Sequence, residues 1–153
     1  MTDQDEWLQP GAAQDEVSLE VDDPAAGLVL RARLTVTLTH RRANLVVSVD
    51  GARARHDAEQ AGPAVTNWDR MRIGGLEWRM VEPLRRWELA ADDPEAGLRA
   101  YLAFSGTGPC TPLADGYEQV GRASGQLQLA ERIVAVTDAP SRRTHTWAGT
   151  GSV

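Results

Sequence analysis

Apolar and polar residues alternate along most of this chain, and a period of two is the mark of strands with one dry and one wet face. Val17-Ser18-Leu19-Glu20-Val21 alternates and stops at Asp22-Asp23-Pro24, a turn signal. Leu28 to Leu38 alternates over its second half, with β-branched residues between, and predicts a long strand. Asn44 to Val49 runs into Asp50-Gly51 and then Ala52 to His56. That pattern predicts a two-residue hairpin, because both turn positions accept positive φ. Gly74-Gly75 predicts a second hairpin, between Arg70-Met71-Arg72-Ile73 and Leu76 to Val81. Pro83 then interrupts, and Arg86 to Leu89 resumes as strand. Asp57 to Asn67, polar and holding Gly62-Pro63, reads as a loop.

Asp92-Asp93-Pro94-Glu95-Ala96-Gly97 closely repeats Asp22-Asp23-Pro24-Ala25-Ala26-Gly27. It is one turn design used twice, or a shared helical first turn with an Asp cap and Pro at its first position. Leu98 to Ser105 alternates as a further strand, and Gly106 to Gly116, with Pro109, Cys110 and Pro112, is the longest loop of the second half and a candidate lid. Tyr117 to Leu129, Ile133 to Thr137 and Arg142 to Trp147 complete the strands. Turn signals recur about every 8–12 residues, and no segment sustains the i, i+3, i+4, i+7 spacing of a helix longer than about three turns. The expected fold is all-β, a single antiparallel lipocalin-like β-barrel, because closing the sheet removes exposed edges. Residues 16–153 form that domain, and residues 1–15, polar with Pro10 and Gly11, form a mobile lead-in.

The chain's 153 residues suit one domain with a sizeable core. A net charge of −6 repels phosphate backbones, which argues against nucleic acid as a partner. All 16 basic residues are arginine. Without a lysine amine the chain can form no Schiff base, attach no pyridoxal phosphate and complete no P-loop. Arginine used alone with frequent Ala, Gly and Val also suggests a GC-rich bacterial source. The acidic start, Met1 to Glu6, lacks the basic and apolar regions of a secretory signal, so a cytoplasmic location is expected. No apolar run approaches the ~18 residues of a membrane helix. Cys110 stands alone, so no disulfide forms within the chain, and it reads as a loop thiol.

His40, His56 and His145 lie far apart with no second ligand at metal spacing, so no metal is expected. No G-x-S-x-G elbow, H-E-x-x-H pair or dinucleotide fingerprint is present, and no cofactor is expected. What remains are aromatic and polar residues placed on strands. Trp78, Met80 and Glu82 share one face, with Trp87 just beyond Pro83; Arg143, His145 and Trp147 share another. Tyr117 and Gln119 alternate with Glu118. A polar group among aromatics inside a barrel is suited to acid–base work. Glu82, Glu118, His145 and Tyr117 are therefore the catalytic candidates, and Trp78, Trp87, Tyr101, Gln119, Arg143 and Trp147 the substrate-binding ones. The same aromatics also read as core packing, and Arg143 as a surface or ion-paired residue.

Met71 to Leu76, Glu82 to Trp87, Tyr117 to Gly125 and Arg143 to Gly149 together resemble the lipocalin-like superfamily of acyclic carotenoid hydratases and AttH-type proteins. The likeness covers most of Val17 to Gly149 and corresponds to one half of that family's usual two-half chain. Thr144 stands where the family carries an aspartate. The resemblance implies a barrel fold and cofactor-free hydration or cyclisation of apolar polyenes. The leading expectation is a cofactor-free cyclase, isomerase or hydratase acting on an apolar polyketide or isoprenoid intermediate in a pocket inside the barrel. Two alternatives stay open: a non-catalytic binding protein for an apolar small molecule, and a half that pairs with a second chain, a homodimer among the arrangements.

Overall fold

The computed structural model describes residues 12–61 and 70–150. Eleven strands carry almost all of them. The first group is β1 (Ala12–Asp23), β2 (Leu28–Thr37), β3 (His40–Val49) and β4 (Ala52–Ala61). The second is β5 (Arg70–Ile73), β6 (Leu76–Glu82), β7 (Arg86–Asp93), β8 (Leu98–Gly106), β9 (Thr111–Leu113), β10 (Gly116–Leu129) and β11 (Arg132–Thr150). They pair antiparallel in one sheet ordered β4-β3-β2-β1-β11-β10-β8-β7-β6-β5, with β9 added beside the start of β10. The sheet coils into a nearly closed barrel, as the alternation predicts. Among the described residues the only helix is a single 3₁₀ turn, Pro24–Ala26, and no helix is long and apolar enough to cross a membrane.

The turns follow their residues. Asp50 (φ 47°) and Gly51 (φ 88°) both take positive φ, the demand that Asp-Gly meets. Of Gly74-Gly75, only Gly74 (φ 58°) does. The repeated Asp-Asp-Pro turn is built twice in the same way. Asp23 accepts from the Ala26 amide at 3.4 Å and Asp93 from the Ala96 amide at 3.2 Å. Gly27 and Gly97 then reverse the chain at φ 64° and 66°. Each glycine carbonyl takes the amide of a neighbouring hairpin, Gly27 from Asp50 and Gly97 from Ala130.

Three expectations are corrected. β1 begins at Ala12, so residues 12–15 belong to the barrel, with Asp15 buried within the strand; residues 1–11 lie outside the described ones. β4 runs through Asp57 to Ala61, each paired with β3 from Asn44 back to His40. Its inward positions hold small or polar residues, Ala54, His56 and Ala58, so it lacks the apolar beat that marks a strand. The rest of that expected loop, through Asn67, lies outside the described residues. Ile133 to Thr137 and Arg142 to Trp147 are one strand, carried past Asp138 (φ 46°) opposite a bulge between Ala123 and Gly125.

The ends of the sheet, β4 and β5, meet through side chains. Among the described residues no ladder joins them. His56 on β4 spans the seam: its Nδ1 lies 2.7 Å from Asp93 Oδ2, and its Nε2 accepts from the Gly75 amide at 3.1 Å. The accepting Nε2 places the proton on Nδ1, which donates to the carboxylate. This bond, more than the Ala96 amide, holds the Asp93 carboxyl below its ordinary 3.8. A Cβ on Gly74 would sit 2.4 Å from the Ala58 methyl, so a bare backbone is required there.

Candidate functional site

The barrel interior is not uniform. Toward the end that carries the tight Asp-Asp-Pro and Asp50-Gly51 turns, inward positions are aliphatic, among them Leu28, Val49, Leu98 and Leu127. Toward the other end they are aromatic and polar. Trp78 and Trp87 lie against each other with ring centroids 5.1 Å apart. The Arg143 guanidinium sits 5.0 Å over the Trp87 ring, 5.5 Å from Tyr117 and 5.9 Å from Phe104. Such cation–π contacts repay part of the cost of burying a charge.

One side chain ties this region to the loops above it. Gln119 accepts from Arg143 at 2.8 Å through Oε1, and its Nε2 donates to the carbonyls of Leu84 (2.7 Å) and Gly108 (3.1 Å). One row nearer the barrel end, β10 and β11 set Tyr117 directly opposite His145. The Tyr117 hydroxyl lies 3.2 Å from His145 Nδ1, and His145 Nε2 lies 2.7 Å from Asp15 Oδ1. The carboxylate can only accept, so Nε2 carries a proton, and in the neutral imidazole Nδ1 then accepts from the phenol. The result is a buried Tyr–His–Asp relay. Trp147 covers it, half-buried, with its ring 5.1 Å from His145 and 6.3 Å from Tyr117.

Seven of the ten expected site residues therefore share one end of the barrel: Trp78, Trp87, Tyr117, Gln119, Arg143, His145 and Trp147. Three do not. Glu82 follows a register shift after Met80 that breaks the face shared with Trp78; it is exposed and ion-paired with Arg85 at 3.4 Å. Glu118 points away from the interior between inward Tyr117 and Gln119, and lies 3.9 Å from Arg142. Tyr101 is 48% exposed on the outer face. Partial burial there and a bond to Glu88 raise its phenol above the usual 10.0.

The aromatic end of the barrel is packed instead of open. Trp78, Trp87, Phe104, Tyr117, Arg143 and His145 are each no more than 1% exposed, so among the described residues this end of the barrel is closely packed. The aromatics gather as expected, but around a guanidinium instead of a void. The sequence reading missed Asp15. Its signal was present, since position 15 continues the inward series Val17, Leu19, Val21. The Leu84 and Gly108 carbonyls were also missed, and backbone acceptors leave no trace in side-chain pattern.

Among the described residues no three His, Cys, Asp or Glu side chains converge as metal ligands. In comparison with known proteins, no curated protein and no solved structure matches the chain. A model of a domain of unknown function, DUF7064, matches residues 2–149, nearly the whole length. The chain belongs to the DUF7064 family.

Proposed function

We propose that the protein is a proton-shuttling enzyme, an isomerase, cyclase or hydratase, acting on an apolar small molecule at the polar end of the barrel. The observation that carries this reading is the Asp15–His145–Tyr117 relay, a chain of ionisable groups inside an otherwise apolar interior. Filling these positions with hydrophobes would serve stability as well or better. Their order also suits proton removal. As the Tyr117 oxygen takes a proton from the substrate or from water, its own proton passes to His145 Nδ1, and Asp15 steadies the imidazolium. Return of the proton to a different carbon completes an isomerisation, and attack of the resulting carbanion on a carbonyl, whose oxygen takes the proton back, closes a ring; where water is deprotonated, its oxygen adds to the β-carbon of a conjugated carbonyl and the α-carbon takes the proton back from His145 through Tyr117, which completes hydration. The transfer needs no group beyond these side chains.

The resemblance to acyclic carotenoid hydratases points the same way and suggests a polyene or polyketide-like substrate. The test is incubation of the protein in D₂O with a panel of apolar polyenes and enones, with deuterium uptake and product followed by mass spectrometry. Turnover by the wild type and a loss of about 10²–10⁴-fold in Tyr117→Phe is the expected result. Tyr117→Phe turning over at the wild-type rate, or no turnover across the panel, would overturn the proposal.

A further inference from the structure

The relay is sealed, so a substrate reaches Tyr117 only if something opens, and the structure shows what holds the cover down. Two segments lie over this end on the β7–β8 side: the turn at residues 83–85 and the loop at 107–110. Both are tied to the same amide. Gln119 Nε2 spends its two protons on Leu84 O and Gly108 O, while its Oε1 is fixed by Arg143. The 83–85 turn is also joined to the end of β8, since the Gly106 amide donates to the Arg85 carbonyl at 2.9 Å, and the base of the loop is held by the Thr107 amide, which donates to the Val120 carbonyl at 3.2 Å.

Two further features mark this as a sprung contact. Leu84 holds φ at 63°, a left-handed conformation that a branched side chain adopts only when its surroundings impose it. Gly106 lies so close to the Gln119 amide that a Cβ there would fall 2.1 Å from Nε2, although its own φ is ordinary. Release of the amide breaks both of its bonds at once and lets the Leu84 turn relax.

We infer that Gln119 is the latch of a two-part gate over the relay, a positioning residue whose release admits substrate between the 83–85 turn, the 107–110 loop and Trp147. This rests on the proposed acid–base function for its purpose, but the gate can be read without any substrate. Cys110 stands in the gating loop, half-buried, and is the chain's one thiol. Its rate of labelling by an aromatic disulfide reagent therefore reports opening of the loop.

Gln119→Glu keeps the volume of the side chain and its acceptor toward Arg143, but turns carboxylate oxygens onto two carbonyls. Gly106→Ala instead displaces the native amide. In both variants Cys110 labelling is expected to quicken by about tenfold, the effect of roughly one lost buried hydrogen bond. Amide exchange should rise in residues 83–85 and 107–110, while Val17 to Val21 in β1 keeps its protection. Labelling within about twofold of wild type in both variants, or protection lost evenly through the barrel, would overturn the latch. Faster labelling with no turnover of any compound leaves the latch standing and removes the catalytic reading. Turnover with unchanged labelling does the reverse.

Discussion

Asp15 and His145 stand 130 positions apart in sequence and 2.7 Å apart at their side chains. What His145 requires of its partner is an acceptor, and this separates structure from chemistry. Asp15→Asn keeps an oxygen in reach of the Nε2 proton and should fold within about 1 kcal/mol of wild type in urea titration, whereas Asp15→Ala orphans a buried donor and should cost about 1–3 kcal/mol. Equal losses in the two variants would mean that the charge, and not the acceptor, holds the pair together. The asparagine variant should still lose the relay, since a neutral amide does not steady an imidazolium. At this scale the period of two found His145, Tyr117, Gln119 and Arg143. It went wrong at Glu82, where a bulge resets the count, and Glu118 was admitted on its chemistry against its own parity. Tyr101 was misread because a tyrosine suits either side of a sheet.

The seam between β4 and β5 belongs to the scale of elements, where hydrogen-bonded ladders give way to one histidine. Because binding to His56 lowers the Asp93 carboxyl below 3.8, the contact contributes its full stability above that value and loses it as pH falls through the lowered one. Thermal melts from neutral pH down to about pH 2.5 should therefore show an acid-side loss that is smaller in Asp93→Asn and in His56→Ala. Identical acid limbs in all three proteins would show that other carboxylates govern the loss. His56→Ala should also cost about 1–3 kcal/mol at neutral pH, since the Gly75 amide loses its acceptor. Hairpins and turns were legible because Asp50-Gly51, Gly74-Gly75 and the paired Asp-Asp-Pro segments carry their conformations in their residue types. β4 was half hidden, because an edge strand closed by small residues needs no apolar beat. No pattern in the sequence shows that His56 would span to Asp93.

For the whole molecule, the decisive pairing is β1 with β11, which joins two meanders, β1–β4 and β5–β11, into one sheet. Neither meander can close a barrel alone. A chain truncated after Leu129 is therefore expected to show no cooperative thermal transition by circular dichroism, and a sharp one would mean that the first ten strands suffice. The barrel itself was readable from strand count and turn spacing; the close packing of Trp78, Trp87, Tyr117 and His145 was not, because an inward aromatic reads alike whether it lines a void or fills one. The central pairing also sets a timetable for biosynthesis. Val21 waits for Ser141, its partner 120 positions later, and at about 5–20 residues per second that wait lasts roughly 6–24 s on the ribosome. Throughout it, Val17, Leu19 and Val21 lie along an open strand edge, the kind of surface that recruits other chains. The yield of this fold in a cell is then decided less by its final stability than by what shields one strand for those seconds.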